Sequence, residues 1–325
     1  MTAVVSMAPA KLIVSGEHSI FFTKKAITCA IDIWINVKIA KTKSQNITII
    51  EKKKKKTFAL KDISRENKND SLIVEIIRTF CNYNKKSICG LKITINNKIT
   101  ISSGLGSSAS LIVSMVYGLN ELFHTKMSKE DLIDMCIELE NICHGKSSGI
   151  DIITAICGGV NVFDGKKHNK IAHNIDDVWL IQTGKPHHST KEVVEYVRKE
   201  FTSTALVWQD FEKTTDMIID CIKQQNMQKQ LSTLIYQNEK LLEGIGVVNS
   251  NVSNFIKGLL TYNIYAKVCG AGTIGKKDNH NGMIAIFQRL SKPQLQVLKK
   301  LCKKYKYKLK RTQIINSGID VGYCI

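Results

Sequence analysis

Proline is almost missing from this chain, with 3 in 325 residues, and no stretch rich in glycine or serine interrupts it. Two domains, if present, therefore pack against each other and do not swing on a linker. The ten cysteines are scattered, without a CxxC or any paired spacing. That pattern reads as reduced thiols in a cytosolic protein, and Cys143-His144 has no second ligand pair to make a metal site. Long apolar runs are missing as well. None reaches the roughly 20 residues that span a bilayer, and the opening MTAVVSMAPAK lacks the charged stretch and cleavable apolar core of a secretion signal. These absences set the expectation of a cytoplasmic protein with no membrane segment. Acids are in short supply: 28 Asp+Glu against 47 Lys+Arg leave a net charge of +19. Such an excess suits nucleotides, phosphorylated metabolites, nucleic acid or an acidic surface. The lysines gather in runs that read as solvated, Lys52 to Lys56 and Lys299 to Lys310, with few aromatics between them. That composition counts against nucleic acid as the partner.

What the chain does have is 43% hydrophobic residues, enough for one large or two ordinary cores. It also has one stretch whose residue types dictate a chemistry, Ile101 to Leu111, ISSGLGSSASL. Gly104 and Gly106 flank Leu105, Ser107 and Ser108 follow, and an apolar run from Ala109 to Leu119 has helical spacing. A turn of this kind aims several backbone N–H groups at one point, and the helix behind it adds partial positive charge. No Gly-Lys-Ser/Thr closes the loop, so it is not a Walker sequence. Taken alone, it reads equally as a flexible turn ahead of a buried helix.

Taken in order, residues 3–14 read as a strand, and 27–39 alternate apolar and polar as a half-buried strand does. Residues 41–70 are polar and lysine-rich apart from ITII, which predicts a surface excursion. Asp70 and Ser71 cap a helix to about Phe80, and LKITI (91–95) and KITI (98–101) predict a strand pair turning at Asn96-Asn97. Ser128 with Asp131 opens a helix running through Glu140, and another runs from near Ser147 to Gly158-Gly159. A strand at 178–183, a helix capped by Ser189 and Glu192, and two or three more helices to about Tyr262 follow. IYAKV (264–268) and MIAIF (283–287) read as strands around a second glycine turn, Gly270-Ala271-Gly272. A helix from Ser291 and two short strands finish the chain. Runs of strand and then helix, twice over, predict an α+β protein with mainly antiparallel sheets.

Two more constellations carry polar chemistry. Lys11, in APAK, precedes Gly16-Glu17-His18. Glu140 lies eleven residues before Asp151 across a glycine-containing turn. A carboxylate and a serine hydroxyl suit Mg²⁺ on a triphosphate, and a second carboxylate suits a substrate hydroxyl. Each of these has an ordinary alternative: an exposed strand lysine, a turn histidine, a capping or solvated acid.

In combination the segments resemble a known family, the GHMP small-molecule kinases, and within it the mevalonate-kinase branch. APAKLIVSGEHSIFF is similar to the first motif, SSGLGSSASL to the ATP-phosphate loop and HGKSSGIDIITAICGG to the catalytic segment. KVCGAGTIG (267–275) is similar to the third, glycine-rich motif, and TGKPHHSTKEVVEYV and NEKLLEGIGVVNSNVSNF match between them. Galactokinases share Gly-Glu-His but carry arginine where Lys11 stands, and phosphomevalonate kinases more often have tyrosine in place of His18. The resemblance implies two domains, 1–175 and 176–325, each a mainly antiparallel sheet packed with helices, and an active site in the cleft between them. It implies ATP and Mg²⁺, with phosphates held by Ser103, Gly104, Leu105, Gly106, Ser107, Ser108 and Ala109 and by Gly270, Ala271 and Gly272. Ser108 and Glu140 would hold the metal, Asp151 and Lys11 would be catalytic, and Lys11, Glu17, His18 and Thr190 would meet the substrate, mevalonate. Neither nucleic acid nor membrane is implied, and a homodimer stays open. The chain departs from the pattern at Ala10, where the family has glycine, and in the phosphate loop, which lacks its upstream proline. His188 stands where arginine is common, and the third motif runs from Gly-Thr-Ile-Gly into a polar insert, KKDNHNG. The insert leaves open how closely that loop approaches phosphate. A phosphomevalonate kinase and a silent nucleic-acid-binding relative are the alternatives.

Overall fold

The two longest apolar patterns become neighbours. Strands β1 (Ala3–Ser15) and β2 (Lys25–Lys41) run antiparallel, with Ala3 opposite Ala40 and Ser15 opposite Ile27. They are seen in a computed structural model that describes residues 3–323 apart from 53, 61–70, 88, 102, 146, 166, 176, 225–226 and 276–279. Along β2, Ile33, Ile35, Val37 and Ile39 are buried while Asp32 and Lys38 are exposed, the alternation of a sheet with one wet face. The register slips between Pro9 and Ala10. Proline has no N–H to give the ladder, and such a slip re-aims the side chains that follow, Lys11 among them.

Around this pair the larger sheet runs β12-β1-β2-β5-β3-β4, from β3 (Asn46–Glu51), β4 (Lys54–Ala59), β5 (Leu91–Asn97) and β12 (Asp320–Tyr323). The first five residues of β2 pair instead with β6 (Val160–Asp164), which pairs in turn with β7 (Lys167–Ile171). Among the described strands, only β3 and β5 run parallel. One expectation fails here. Residues 46–51 and 54–59 pair as strands of the sheet, with Ile47 and Ile49 buried, and are not a surface excursion; 61–70 lie outside the described residues. The exposed lysines 54–56 sit on the edge strand, where charge discourages pairing with another chain. A second expectation fails at 98–101, which is not a strand. The Asn97 carboxamide oxygen takes the Ile99 N–H at 2.8 Å and turns the chain, and β5 finds its partners in β2 and β3.

Helices α2 (Leu72–Tyr83), α3 (Ser107–Phe123), α4 (Lys129–His144) and α5 (Ile150–Cys157) cover one face of this sheet, following a single turn, α1 (Ile20–Thr23). The Ser128–Asp131 capping box that starts α4 is formed. The second sheet, all antiparallel, runs β11-β8-β10-β9: β8 (Val178–Gly184), β9 (Lys267–Cys269), β10 (Gly282–Ile286) and β11 (Lys308–Thr312). With it pack α9 (Ser250–Leu260) and α10 (Lys292–Tyr305). Between the sheets lie α6 (Thr190–Glu200), α7 (Val207–Gln224) and α8 (Gln228–Gly244). β9 starts later than IYAKV suggests, because the Tyr265 N–H goes to the Gln288 side chain at 2.8 Å and not to a ladder. No helix among the described residues is long and apolar enough to cross a membrane. The α+β, two-sheet architecture is the one expected.

Candidate active site

A cleft of about 790 Å³ opens where β1, the head of α3 and α5 face the start of α6 and the turn after β9. Its floor is the first glycine loop. Gly104 and Gly106 hold φ of +81° and +71°, backbone that side-chain-bearing residues rarely adopt. Gly106 is the N-cap of α3 and gives it no side-chain cap, and no acid sits in the first turn. The N-terminus of a 17-residue helix, with its partial positive charge, therefore faces the cleft. A Cβ on Gly106 would come within 2.9 Å of the Lys11 stem and 3.5 Å of an Asp151 oxygen. The loop is thus pressed against both residues.

Lys11 is 3% exposed, and its ammonium stands 3.0 Å from the Asp151 carboxylate. Its backbone N–H donates to the Leu105 carbonyl at 3.1 Å, tying β1 to the loop. Asp151 lies in the first turn of α5, behind Gly149 at φ +75°, and its side chain keeps 26% of its surface open to the cleft. Glu140 arrives from the last turns of α4 and is buried, accepting the Ser147 hydroxyl. Burial, with the charge of Asp151 behind it, pushes the Glu140 carboxyl up to about 8. Ser107 accepts a hydrogen bond from the Asn97 amide at 3.1 Å, and Ser108 lines the cleft beside it.

The opposite wall is Gly270-Ala271-Gly272, at φ +84° and +75° for the glycines. A Cβ on Gly270 would lie 2.7 Å from the Gly104 Cα, so the two loops touch backbone to backbone. Glu17 and His18 anchor this wall from the turn after β1. Glu17 forms an ion pair with Lys267, both side chains wholly buried. His18 Nε2 donates to the Ala271 carbonyl at 2.9 Å, and burial drives the imidazole down to about 4, leaving it neutral.

Of the residues singled out from sequence, the cleft brings together Lys11, Glu17, the loop from Ser103 to Ser108, Glu140, Asp151, Thr190 and Gly270 to Gly272. Thr190, the first residue of α6, stands exposed at the rim. His18 sits behind the wall, and Ala109, in the first turn of α3, is fully buried. The sequence reading missed Lys267 and Asn281, which are buried, and Arg198, whose guanidinium lies 4.2 Å from the Phe21 ring centroid at the cleft. A lysine inside the apolar IYAKVC was the one available sign of the first.

Residues 71–159, which hold the glycine loop, Glu140 and Asp151, match the family described as GHMP kinases N terminal domain. This segment is a GHMP kinase N-terminal domain. Curated relatives extend the GHMP kinase likeness beyond it. The mevalonate kinase of Archaeoglobus fulgidus is 28% identical over 275 residues, covering 82% of this chain and 89% of that protein. The mevalonate kinase of Pyrococcus furiosus is 26% identical over 289 residues, covering 83% and 86%. Among solved structures, the Methanococcus jannaschii mevalonate kinase superposes with a TM-score of 0.82 at 20% identity, covering 96% of this chain and 98% of that one. The GHMP kinase fold thus spans both sheets.

Proposed function

We propose that the chain is an ATP-dependent mevalonate kinase, which transfers the γ-phosphoryl group to the C5 hydroxyl of mevalonate. The observation that carries this reading is the Lys11–Asp151 pair, 3.0 Å apart and pressed against the glycine at the head of α3. The curated relatives, mevalonate kinases at 26–28% identity over most of both chains, supply the acceptor. We divide the chain into 1–175 and 176–325, which separates the two sheets except for β12. The cleft suits a small-molecule acceptor more than nucleic acid, and cysteines that are unpaired among the described residues support a cytoplasmic setting.

The residues present fit the groups that such a reaction needs. A cradle in which a Cβ would strike Lys11 leaves backbone room for phosphate oxygens. Glu140 is a carboxylate that burial keeps from ionising, and a divalent cation would favour its charged form. With the Ser108 hydroxyl it offers the hard oxygen ligands that Mg²⁺ takes. Bound Mg²⁺ would neutralise charge on the triphosphate. The helix N-terminus and glycine loop align the phosphates, the larger part of catalysis in phosphoryl transfer. Asp151 orients the C5 hydroxyl and accepts its proton as the oxygen–phosphorus bond forms and the γ-phosphorus–bridging-oxygen bond breaks. Lys11 faces the charge that develops on the transferred group.

The test is turnover of ATP with mevalonate as sole acceptor, with product identification, beside a panel of phosphomevalonate, galactose and other small alcohols. Release of ADP with 5-phosphomevalonate as product is expected. Turnover only with phosphomevalonate would move the chain to that kinase, and no turnover with any acceptor would end the reading.

A further inference from the structure

The next-to-last residue of the polar insert in the third glycine motif is Asn281, which is 1% exposed and reaches the cleft wall. Its side-chain amide donates to the Val247 carbonyl at 2.8 Å, and its carboxamide oxygen accepts the Asn249 N–H at 2.9 Å. Its own N–H donates to the Thr183 hydroxyl at 2.9 Å. One residue thus ties β8, the turn before α9 and the start of β10. The same Val247 carbonyl accepts the Thr273 N–H at 3.0 Å, at the far end of the second glycine loop. A Cβ on Gly272 would lie 2.1 Å from that carbonyl and 3.3 Å from the Asn281 amide nitrogen. The next residue, Gly282, is packed so closely that its Cβ would lie 3.2 Å from the Ser103 carbonyl of the first loop. Asn281 therefore stands where the two glycine loops are set against each other, and both its polar ends are satisfied in a site closed to water.

We propose that Asn281 is a positioning residue. Its carboxamide fixes the Val247 carbonyl and, through it, the height of Gly270-Ala271-Gly272 above the first loop. The work that a longer run of glycines would do by close packing is done here by a side chain from the insert. A residue with donor and acceptor both committed cannot be exchanged for one that offers only one of them. The inference rests on the reading of both loops as a nucleotide phosphate site, so its test includes a readout that needs no turnover.

Asn281→Ala and Asn281→Asp in the full chain are compared with wild type by amide hydrogen exchange, by calorimetry with MgADP and by steady-state kinetics. In Asn281→Ala, exchange in the 268–275 segment is expected to rise about tenfold while that of β2 and β5 stays as in wild type. Affinity for MgADP falls and KM for ATP rises by a similar factor, whereas KM for the acceptor alcohol moves less than twofold. Asn281→Asp keeps the acceptor for Asn249 but sets a carboxylate against the Val247 carbonyl. Burial beside a carbonyl raises the new carboxyl above the ordinary aspartate range, so relative to wild type at the same pH it should resemble the alanine variant at pH 8 and recover toward pH 5, where the protonated form can donate. Unchanged exchange in 268–275 overturns the proposal. So does a loss shared equally by both substrates and by β2 and β5, which marks a general structural role. Should wild type bind no MgADP, the nucleotide reading fails, and the exchange and its recovery in the aspartate variant still decide the role of Asn281.

Discussion

At the head of α3, Gly104 and Gly106 take left-handed backbone within three residues of each other, and the helix that follows supplies the N–H groups. Gly270 and Gly272 take the same backbone across the cleft, but among the described residues no helix separates them from β10. That loop is held by His18, 253 residues away in sequence, by the Val247 carbonyl and by Asn281. The first loop is local, so its residues dictate its shape. The second is assembled from afar, so its shape depends on the packing of the whole molecule. Chemistry and stability should therefore divide between the two loops when each is broken.

The largest effect belongs on the side of the first loop. Asp151→Asn should lower kcat by about 10²–10⁴, the range for losing a positioned proton acceptor, with the melting temperature within a few degrees of wild type. A kcat close to wild type would remove Asp151 from the chemistry. On the side of the second loop the largest effect is on folding. Lys267→Met leaves Glu17 buried without its partner, which costs about 3–5 kcal/mol and shows as a lower urea midpoint. A midpoint within about 1 kcal/mol of wild type would mean that the pair does not brace the loop.

Alanine at one glycine of each loop sharpens the contrast. Both Gly106 and Gly272 have positive φ, a strain of roughly 1–2 kcal/mol for alanine. The new methyl at 106 meets the flexible Lys11 stem, whereas at 272 it meets a backbone carbonyl at 2.1 Å. Gly106→Ala should thus lower kcat roughly tenfold with a modest loss of stability, while Gly272→Ala should lose on the order of 1–3 kcal/mol more. Equal unfolding midpoints for the two variants would erase the distinction.

The smallest effect concerns Glu239, whose carboxylate accepts the Val268 N–H at 2.7 Å at the root of the second loop. Burial pushes its carboxyl from the ordinary 4.5 up to about 8. Between those values the folded chain holds a proton that the unfolded chain releases. The associated stability is present below the lower value and fades as pH rises through the higher one. Glu239→Gln keeps the acceptor and drops the titration, so its melting temperature should gain on wild type from pH 6 to about pH 8 and level off above that. A constant gap would show that Glu239 is ionised throughout.

The same division explains how much could be read from the residues alone. β1, β2 and the capping boxes at Ser128, Ser189 and Ser291 follow from spacing within a dozen residues, as do the first glycine loop and its helix. The β3–β4 pair was hidden because its lysines, 54–56, mask the alternation, and an edge strand tolerates them on both faces. KITI looked like a strand because Ile99 and Ile101 alternate, yet Asn97 diverts the backbone and leaves Ile101 57% exposed. Arg198 on Phe21, Lys267 on Glu17 and Asn281 on Val247 join positions far apart in the chain. No periodicity marks such pairs. The family resemblance reached Lys11, Glu140 and Asp151 as separate motifs, and the folded chain puts Lys11 against Asp151.

β12 lies against β1, with Val4 opposite Tyr323 and Met7 opposite Asp320. Ribosomes deliver β1 well before β12, tens of seconds apart at about 5–20 residues per second. Through that interval the strand bearing Lys11 keeps an open flank, available to any other nascent segment. Ribosome stalling that delays β12 should therefore leave the lysine strand prone to aggregation well before any defect in turnover could register.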